Sequence, residues 1–273
     1  MRLRPKTPLR PRPSKRASPR LDPALRTPLY HQIYILLREQ IVSGAYGDDA
    51  LLPTEFSLAR TYGVSRITAK RALDELKAEG LVERRRGRGT SVAKRVESRP
   101  VDANLSGLIE NLLMMGLETA VEILAFDYVV PPETVRAALE LASGVDVQRA
   151  VRVRRLDGIP LSYTVSHVPA ELGRSYQRVD LAKAPLLALL ERAGVLIGSA
   201  DQTITATLAG PEVATALEVQ VGSALLAITR TVFDQNGRAV EHIVILYRPD
   251  RYAYRMKLAR VQGSATKLWS PTS

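Results

Sequence analysis

The stretch that decides the fold is Tyr62-Gly63-Val64-Ser65-Arg66-Ile67-Thr68-Ala69-Lys70-Arg71-Ala72-Leu73-Asp74-Glu75-Leu76. Gly63 ends one helix, because glycine accepts the left-handed conformation of a helix terminus. Ser65 caps the next helix through its side-chain oxygen. The gap between the two is the length of a helix-turn-helix turn. Ala69, Ala72, Leu73 and Leu76 recur on one helical face, which leaves Arg66, Thr68 and Lys70 off it. Working outward, Thr54 caps the preceding helix, whose apolar face is Leu58, Ala59 and Tyr62. An earlier helix is expected from Thr27 as N-cap and Pro28 at the first helical position, through Leu29, Ile33, Leu36, Leu37 and Ile41, to a stop at Gly44. After Gly80, Leu81–Arg85 alternates as a strand. Arg86-Gly87-Arg88-Gly89 reads as a turn and Thr90–Ala93 as the return strand.

Three short helices followed by a basic hairpin make a winged helix-turn-helix. In that frame the third helix offers Arg66, Thr68 and Lys70 to the major groove of double-stranded DNA. Arg85, Arg86 and Arg88 can reach flanking phosphates or the minor groove.

The charge supports this placement. The chain of 273 residues carries a net charge of +11. Residues 1–26 hold nine basic groups against Asp22, and residues 27–95 hold twelve against eight acids. The remaining residues are close to neutral, with 18 basic and 19 acidic groups. Prolines at positions 5, 8, 11, 13, 19 and 23 break any helix in the N-terminal segment, which reads as a disordered basic tail able to add non-specific DNA affinity. There is no Cys, so disulfides, thiolate metal sites and Cys nucleophiles are excluded. No apolar run is long enough for a membrane span, and no secretory signal core is present, so a cytoplasmic protein is expected.

From residue 119 onward the pattern changes to strands and short helices. Val121–Val130, Ala150–Leu156, Leu161–Pro169, Ala200–Ala209, Ala224–Phe233 and Ala239–Tyr247 read as strands. Helices are expected after Pro131-Pro132, over Pro185–Ala193 and over Pro211–Leu217. Asp157-Gly158 and Asp234-Gln235-Asn236-Gly237 are hairpin turns. The whole is an α+β protein: a tail over 1–26, the winged helix over 27–95, a linker over 96–118, an α+β domain over 119–260 and a C-terminal tail over 261–273. Within the linker, Leu105, Leu108, Ile109, Leu112 and Leu113 suggest a short amphipathic helix.

Pro28-Leu29-Tyr30, Leu52-Pro53-Thr54-Glu55, Gly63-Val64-Ser65-Arg66-Ile67-Thr68, Glu79-Gly80 and Gly87-Arg88-Gly89-Thr90, in this order, resemble the GntR family of bacterial transcription regulators. The resemblance implies that Arg66 contacts DNA, that Thr68 and Lys70 stand at further contact positions, and that the backbone of Gly87 approaches the duplex. The family often has Arg where this chain has Phe56, so a contact from the second helix is lost or becomes apolar. The later segment, with Arg152-Val153-Arg154, Asp157-Gly158-Ile159-Pro160, His167-Val168-Pro169, Thr203-Ile204-Thr205-Ala206 and Tyr247-Arg248-Pro249-Asp250, resembles the UTRA ligand-sensing domain. That domain defines the HutC-type branch and has a chorismate-lyase-like fold. By this resemblance Arg152, Arg154, Glu241 and Tyr247 line an effector pocket, with Thr164, and less clearly His167, beside them. Residues two apart on a strand share a side, so Arg152 and Arg154 can clamp one anion. Thr164 and Pro185 depart from polar positions of the pattern, which points away from a phosphosugar and toward a smaller or more apolar carboxylate.

His31, His167 and His242 are too scattered for a metal site, and no Gly-x-Ser-x-Gly or phosphate-loop motif occurs, so no cofactor is expected. The leading expectation is a homodimeric repressor on a pseudo-palindromic operator, released by a small anion. A lyase-like enzyme tethered to DNA, or a constitutive DNA-binding protein with a degenerate pocket, are the alternatives.

Overall fold

The computed structural model describes residues 21–271 except 48, 86–88, 94–100, 104–118, 255, 257 and 263–266. The chain forms two compact units, residues 1–97 and 98–273.

In the first unit, helix α1 spans Leu29–Val42, α2 Glu55–Tyr62 and α3 Arg66–Ala78. Strands β1 (Val82–Arg85) and β2 (Gly89–Val92) pair antiparallel as a hairpin. The start of α1 departs from expectation. Pro28 is its N-cap and supplies no side-chain bond, so Thr27 is not the cap and the helix begins one residue later. The other two caps are as expected: Thr54 Oγ1 accepts from the Ser57 amide and Ser65 Oγ from the Thr68 amide. Gly63 closes α2 at φ 65°, a left-handed conformation that glycine takes without the usual Cβ penalty. Ala69, Ala72, Leu73 and Leu76 are buried with Ile33, Leu37, Ile41, Leu52 and Leu58, joined by Tyr34, Val82 and Val92. The unit also begins before residue 27. Leu21 packs on this core, and the Gln32 side chain accepts from the Asp22 amide and donates to the Asp22 and Thr27 carbonyls.

The second unit is built on a six-stranded sheet of β4 (Thr119–Val129), β5 (Val147–Leu156), β6 (Ile159–Pro169), β7 (Ile197–Leu208), β8 (Ala224–Asp234) and β9 (Ala239–Tyr247). Its order is β4-β5-β6-β9-β8-β7, antiparallel throughout. The β5–β6 hairpin turns on Asp157 (φ 52°) and Gly158 (φ 76°), the two successive left-handed residues that match the twist of paired strands. Helices pack on both faces of the inner strands, while the edge strand β7 is exposed along nearly its whole length. On one face, α4 (Glu133–Ala138) packs through Val135, with Leu139 beside it, against Val147 and Ala239. On the same side α8 (Pro211–Leu217) packs through Ala214 and Leu217 against Val151, Val153 and Tyr163. On the other lie α5 (Ala170–Gly173), α6 (Arg178–Leu181) and α7 (Leu186–Arg192), with Leu181, Leu186 and Leu190 packed on Ala150 and Val168.

Three features were not expected. Strand β3 (Val101–Ala103), inside the supposed linker, pairs in parallel with β10 (Tyr252–Tyr254) and so belongs to the second unit. The boundary drawn at residue 260 falls inside a hairpin of β11 (Leu258–Gln262) and β12 (Lys267–Pro271). The four-residue helices α5 and α6 were not anticipated. The amphipathic helix expected over 105–116, the wing-tip residues Arg86, Gly87 and Arg88, and residues 1–20 of the tail lie outside the described residues.

Candidate nucleic-acid interface and ligand pocket

The first unit sorts its cations. Arg38 donates to both Glu79 oxygens, at 3.1 Å each. Arg84 on β1 pairs with Glu55 at 3.2 Å and Asp74 at 2.9 Å, tying the hairpin to α2 and α3. Arg71 lies 3.8 Å from the centre of the Tyr30 ring, donates to its hydroxyl and meets Glu75. These arginines hold the unit together. Arg66 and Lys70 are different: both are exposed, and among the described residues neither has an ion-pair partner. Thr68 is held, since its hydroxyl shares a 2.8 Å hydrogen bond with Ser65 Oγ. The exposed start of α3 thus presents two uncommitted cations and a fixed hydroxyl, the set that contacts phosphates and base edges.

The pocket lies on the sheet face shared with α5–α7. Cross-strand register places Arg152 opposite Thr164 and Arg154 opposite Ser162, then Thr164 opposite Ile245 and Ser162 opposite Tyr247. Val121, Arg152, Arg154, Ser162, Thr164, Ile243, Ile245 and Tyr247 line one cleft with an empty volume, its open mouth included, of about 330 Å³. Arg152, Arg154, Thr164 and Tyr247 are therefore brought together. Glu241 is on the same face but is not among the lining residues; it is buried and its charge acts on Arg152. His167 is a correction: it stands three residues from Thr164, and its side chain falls on the opposite face, in register with Arg149 and His242. Arg155, beside the pair, points away and is met by Glu122 and Glu218. Ser162 and Ser166 were missed, although their alternation with Thr164 on one strand was a legible signal.

The electrostatics are unbalanced. Burial pulls the Arg152 guanidinium below its ordinary pKa, while Glu241, Tyr176 and Tyr247 oppose that shift. Burial and then the charge of Arg152 pull Arg154 down as well. Arg152 donates to Ser166 at 3.2 Å, yet its buried Nε has no hydrogen-bond partner among the described residues. Arg154 donates to the Thr119 hydroxyl at 2.6 Å, and no carboxylate among the described residues lies within ion-pair distance of it. The buried carboxylate of Glu241 acts on Arg152 and not on Arg154, which leaves an excess positive charge beside an unmet donor. The Tyr247 ring is stacked on Tyr252, with centroids 3.9 Å apart and planes inclined by 12°.

A winged helix-turn-helix on one unit and a lined, electropositive cleft on the other define a ligand-responsive transcription regulator. The comparisons with known proteins give the family. Residues 29–92 match the model of bacterial regulatory proteins of the gntR family, and residues 114–253 match the UTRA domain. The HTH-type transcriptional repressor NagR of Bacillus subtilis is 31% identical over 227 residues, covering 83% of this chain and 93% of NagR. The histidine utilization repressor of Pseudomonas putida is 26% identical, covering 74% of this chain and 81% of its own length. The crystal structure of PhnF from Mycobacterium smegmatis aligns with a TM-score of 0.52 at 26% identity, covering 82% of this chain and 97% of that one. The chain belongs to the GntR family and carries a UTRA effector domain. It is a DNA-binding transcriptional regulator, of a family of regulators and not of enzymes. Among the described residues no helix is long and apolar enough to cross a membrane.

Proposed function

We propose that this chain is a homodimeric repressor whose α3 reads a short pseudo-palindromic operator, and that a small carboxylate held by Arg152 and Arg154 releases it. The observation that carries the effector reading is the uncompensated charge of Arg154 beside the unmet Nε of Arg152. An anion supplies both missing partners at once, and a guanidinium pair offers parallel donors to a carboxylate. Val121, Ile243 and Ile245 make one part of the lining apolar, which suits the hydrocarbon body of a small acid, and Ser162 adds a hydroxyl. Thr164 and Tyr247 supply hydroxyls for orientation.

Arg66, Thr68 and Lys70 read and anchor DNA, and Arg86, Gly87 and Arg88 at the wing tip contact the backbone or minor groove. Residues 1–26 add salt-dependent, sequence-independent affinity. Two heads reading half-sites about 10 bp apart account for a palindrome. Effector and operator weaken each other's binding by the same factor, as linkage requires.

The test is a melting screen of the full chain against small carboxylates and phosphate esters. A carboxylate at about 100 times its Kd raises stability by about 2.7 kcal/mol. Arg154→Met abolishes that rise while leaving a folded protein. A rise only with phosphate esters overturns the carboxylate reading. No rise with any compound supports the degenerate-pocket alternative instead.

A further inference from the structure

Ile67 is 79% exposed, the most exposed large apolar side chain among the described residues, and Phe56 is 63% exposed. Ile67 follows Arg66 at the start of α3, and Phe56 follows Glu55 at the start of α2. A single exposed leucine or isoleucine on a protein surface calls for no explanation. These two sit on the two helices of the helix-turn-helix itself.

Helical geometry fixes where Ile67 points. The buried face of α3 is Ala69, Ala72, Leu73 and Leu76. At about 100° per residue, Ile67 stands nearly opposite the middle of that face. Arg66 and Lys70, the uncommitted cations, flank it on one side. The outermost point of the recognition surface is therefore the sec-butyl group of Ile67, beside two positive charges. Phe56 lies off the Leu58 face of α2 in the same way, next to Glu55, which Arg84 holds. The surroundings of Ile67 are cationic and polar, and Phe56 stands on the adjoining helix of the same motif, so the partner that meets this surface is an anion carrying small apolar groups. In the major groove the C5-methyl of thymine is such a group, the one apolar feature that a base edge offers.

We infer that Ile67 and Phe56 are specificity-determining residues, each selecting thymine at its own operator position by contact with the C5-methyl. The inference rests on the reading that α3 enters the major groove. Arg66 supplies the hydrogen-bonding contact, and the apolar residues add discrimination that a charge cannot give. Uracil in place of thymine keeps every hydrogen-bonding group and removes only the methyl.

The experiment uses full-length protein. A site is selected from a random duplex library, and each thymine in the preferred sequence is then replaced by deoxyuridine. Burying one methyl-sized group changes affinity about fourfold. The expected result is a loss of about that size at one or two positions per half-site. In Ile67→Ala the loss disappears at one of them, and in Phe56→Ala at the other, with melting temperatures unchanged because both side chains are exposed. Such pairing of protein and base changes is a double-mutant cycle. If no uracil substitution weakens binding while Arg66→Ala does, the thymine-reading inference is overturned and the placement of α3 stands. If Arg66→Ala also leaves affinity and preferred sequence unchanged, the placement of α3 fails and the inference falls with it. A loss in the Ala variants that persists on uracil-containing sites overturns methyl recognition in favour of packing on sugar.

Discussion

The two units use arginine in opposite ways. At the start of α3, Arg66 and Lys70 are exposed and hold no partner among the described residues. In the sheet, Arg152 is buried to 5% exposure within the influence of the Glu241 charge, and Arg154 next to it has no carboxylate at ion-pair distance among the described residues. Water solvates an exposed guanidinium at little cost, so the first unit loses nothing by waiting for DNA. A buried guanidinium has already lost its water, and its lowered pKa is the sign of that loss. Burying these cations is therefore costly at this point, a cost that the proposed anion would relieve. Elsewhere in each unit the same residue type is neutralised by design of the fold: Arg84 by Glu55 and Asp74, and Arg155 by Glu122 and Glu218. The difference teaches where to look for function in a chain rich in arginine, which is at the ones the structure leaves uncompensated.

The largest effect that would break this contrast comes from Arg152. Arg152→Ala leaves Glu241 buried without the guanidinium that its charge acts on. Loss of the guanidinium takes away the Ser166 hydrogen bond and the positive charge that acts on buried Glu241, which costs about 3 kcal/mol. The melting temperature of the full chain should drop by roughly 10 °C at this size of protein. An unchanged melting curve would show that the buried guanidinium contributes nothing to the stability of the sheet. Arg66→Ala is the counterpart. It should leave melting untouched and weaken operator binding by about 1–3 kcal/mol, concentrated at one base position. Equal loss on all sequences, with a reduced salt dependence, would make Arg66 a phosphate contact and not a base reader.

The same contrast explains how much could be read in advance. The first unit is legible because its signals are local. Ser65, Gly63 and the Ala69–Leu76 face are all spaced within a few residues, and caps and periodicity report on such spacing. The shared face of Arg152 and Arg154 was legible too, since residues two apart on a strand point the same way. His167 shows the limit of pattern reading. It was grouped with Thr164, yet an odd separation on a strand puts the two on opposite faces, a consequence of period 2 that was open to inspection. The pairing of β3 with β10 was not legible at all. It joins residues 101–103 to 252–254, and no local signal announces a contact across that separation. The short helices α5 and α6 have four residues each, too few to show a period.

A smaller effect probes the face where His167 lies. Burial, then the charges of His242 and Arg149, push its pKa down to about 4, against a weaker pull from Asp127. Nδ1 is buried without a hydrogen-bond partner among the described residues. The folded state therefore favours neutral imidazole, while the unfolded chain takes up the proton near pH 6.5. Stability is whole above pH 6.5 and is lost as pH falls toward 4, by about 2 kcal/mol at pH 5. His167→Gln cannot titrate, so its melting temperature should fall less between pH 7 and pH 5 than that of the parent chain. Parallel curves for the two proteins would place the titration elsewhere.

The smallest effect separates structure from recognition within α3 itself. Ser65 Oγ accepts from the Thr68 amide at 3.1 Å and shares a 2.8 Å hydrogen bond with the Thr68 hydroxyl. It therefore caps the helix and also fixes a side chain on the surface proposed to face DNA. Ser65→Ala removes both functions and should cost about 1 kcal/mol, read as faster hydrogen exchange of the α3 amides. Ser65→Asp restores a capping acceptor and puts a negative charge at the positive end of the helix dipole, so exchange protection should return. That charge also faces the phosphates that Arg66 and Lys70 would meet. DNA affinity should then stay low while α3 is fully formed. If Ser65→Asp recovers protection and binding together, the start of α3 does not lie against DNA, and the free cations of the first unit need another partner.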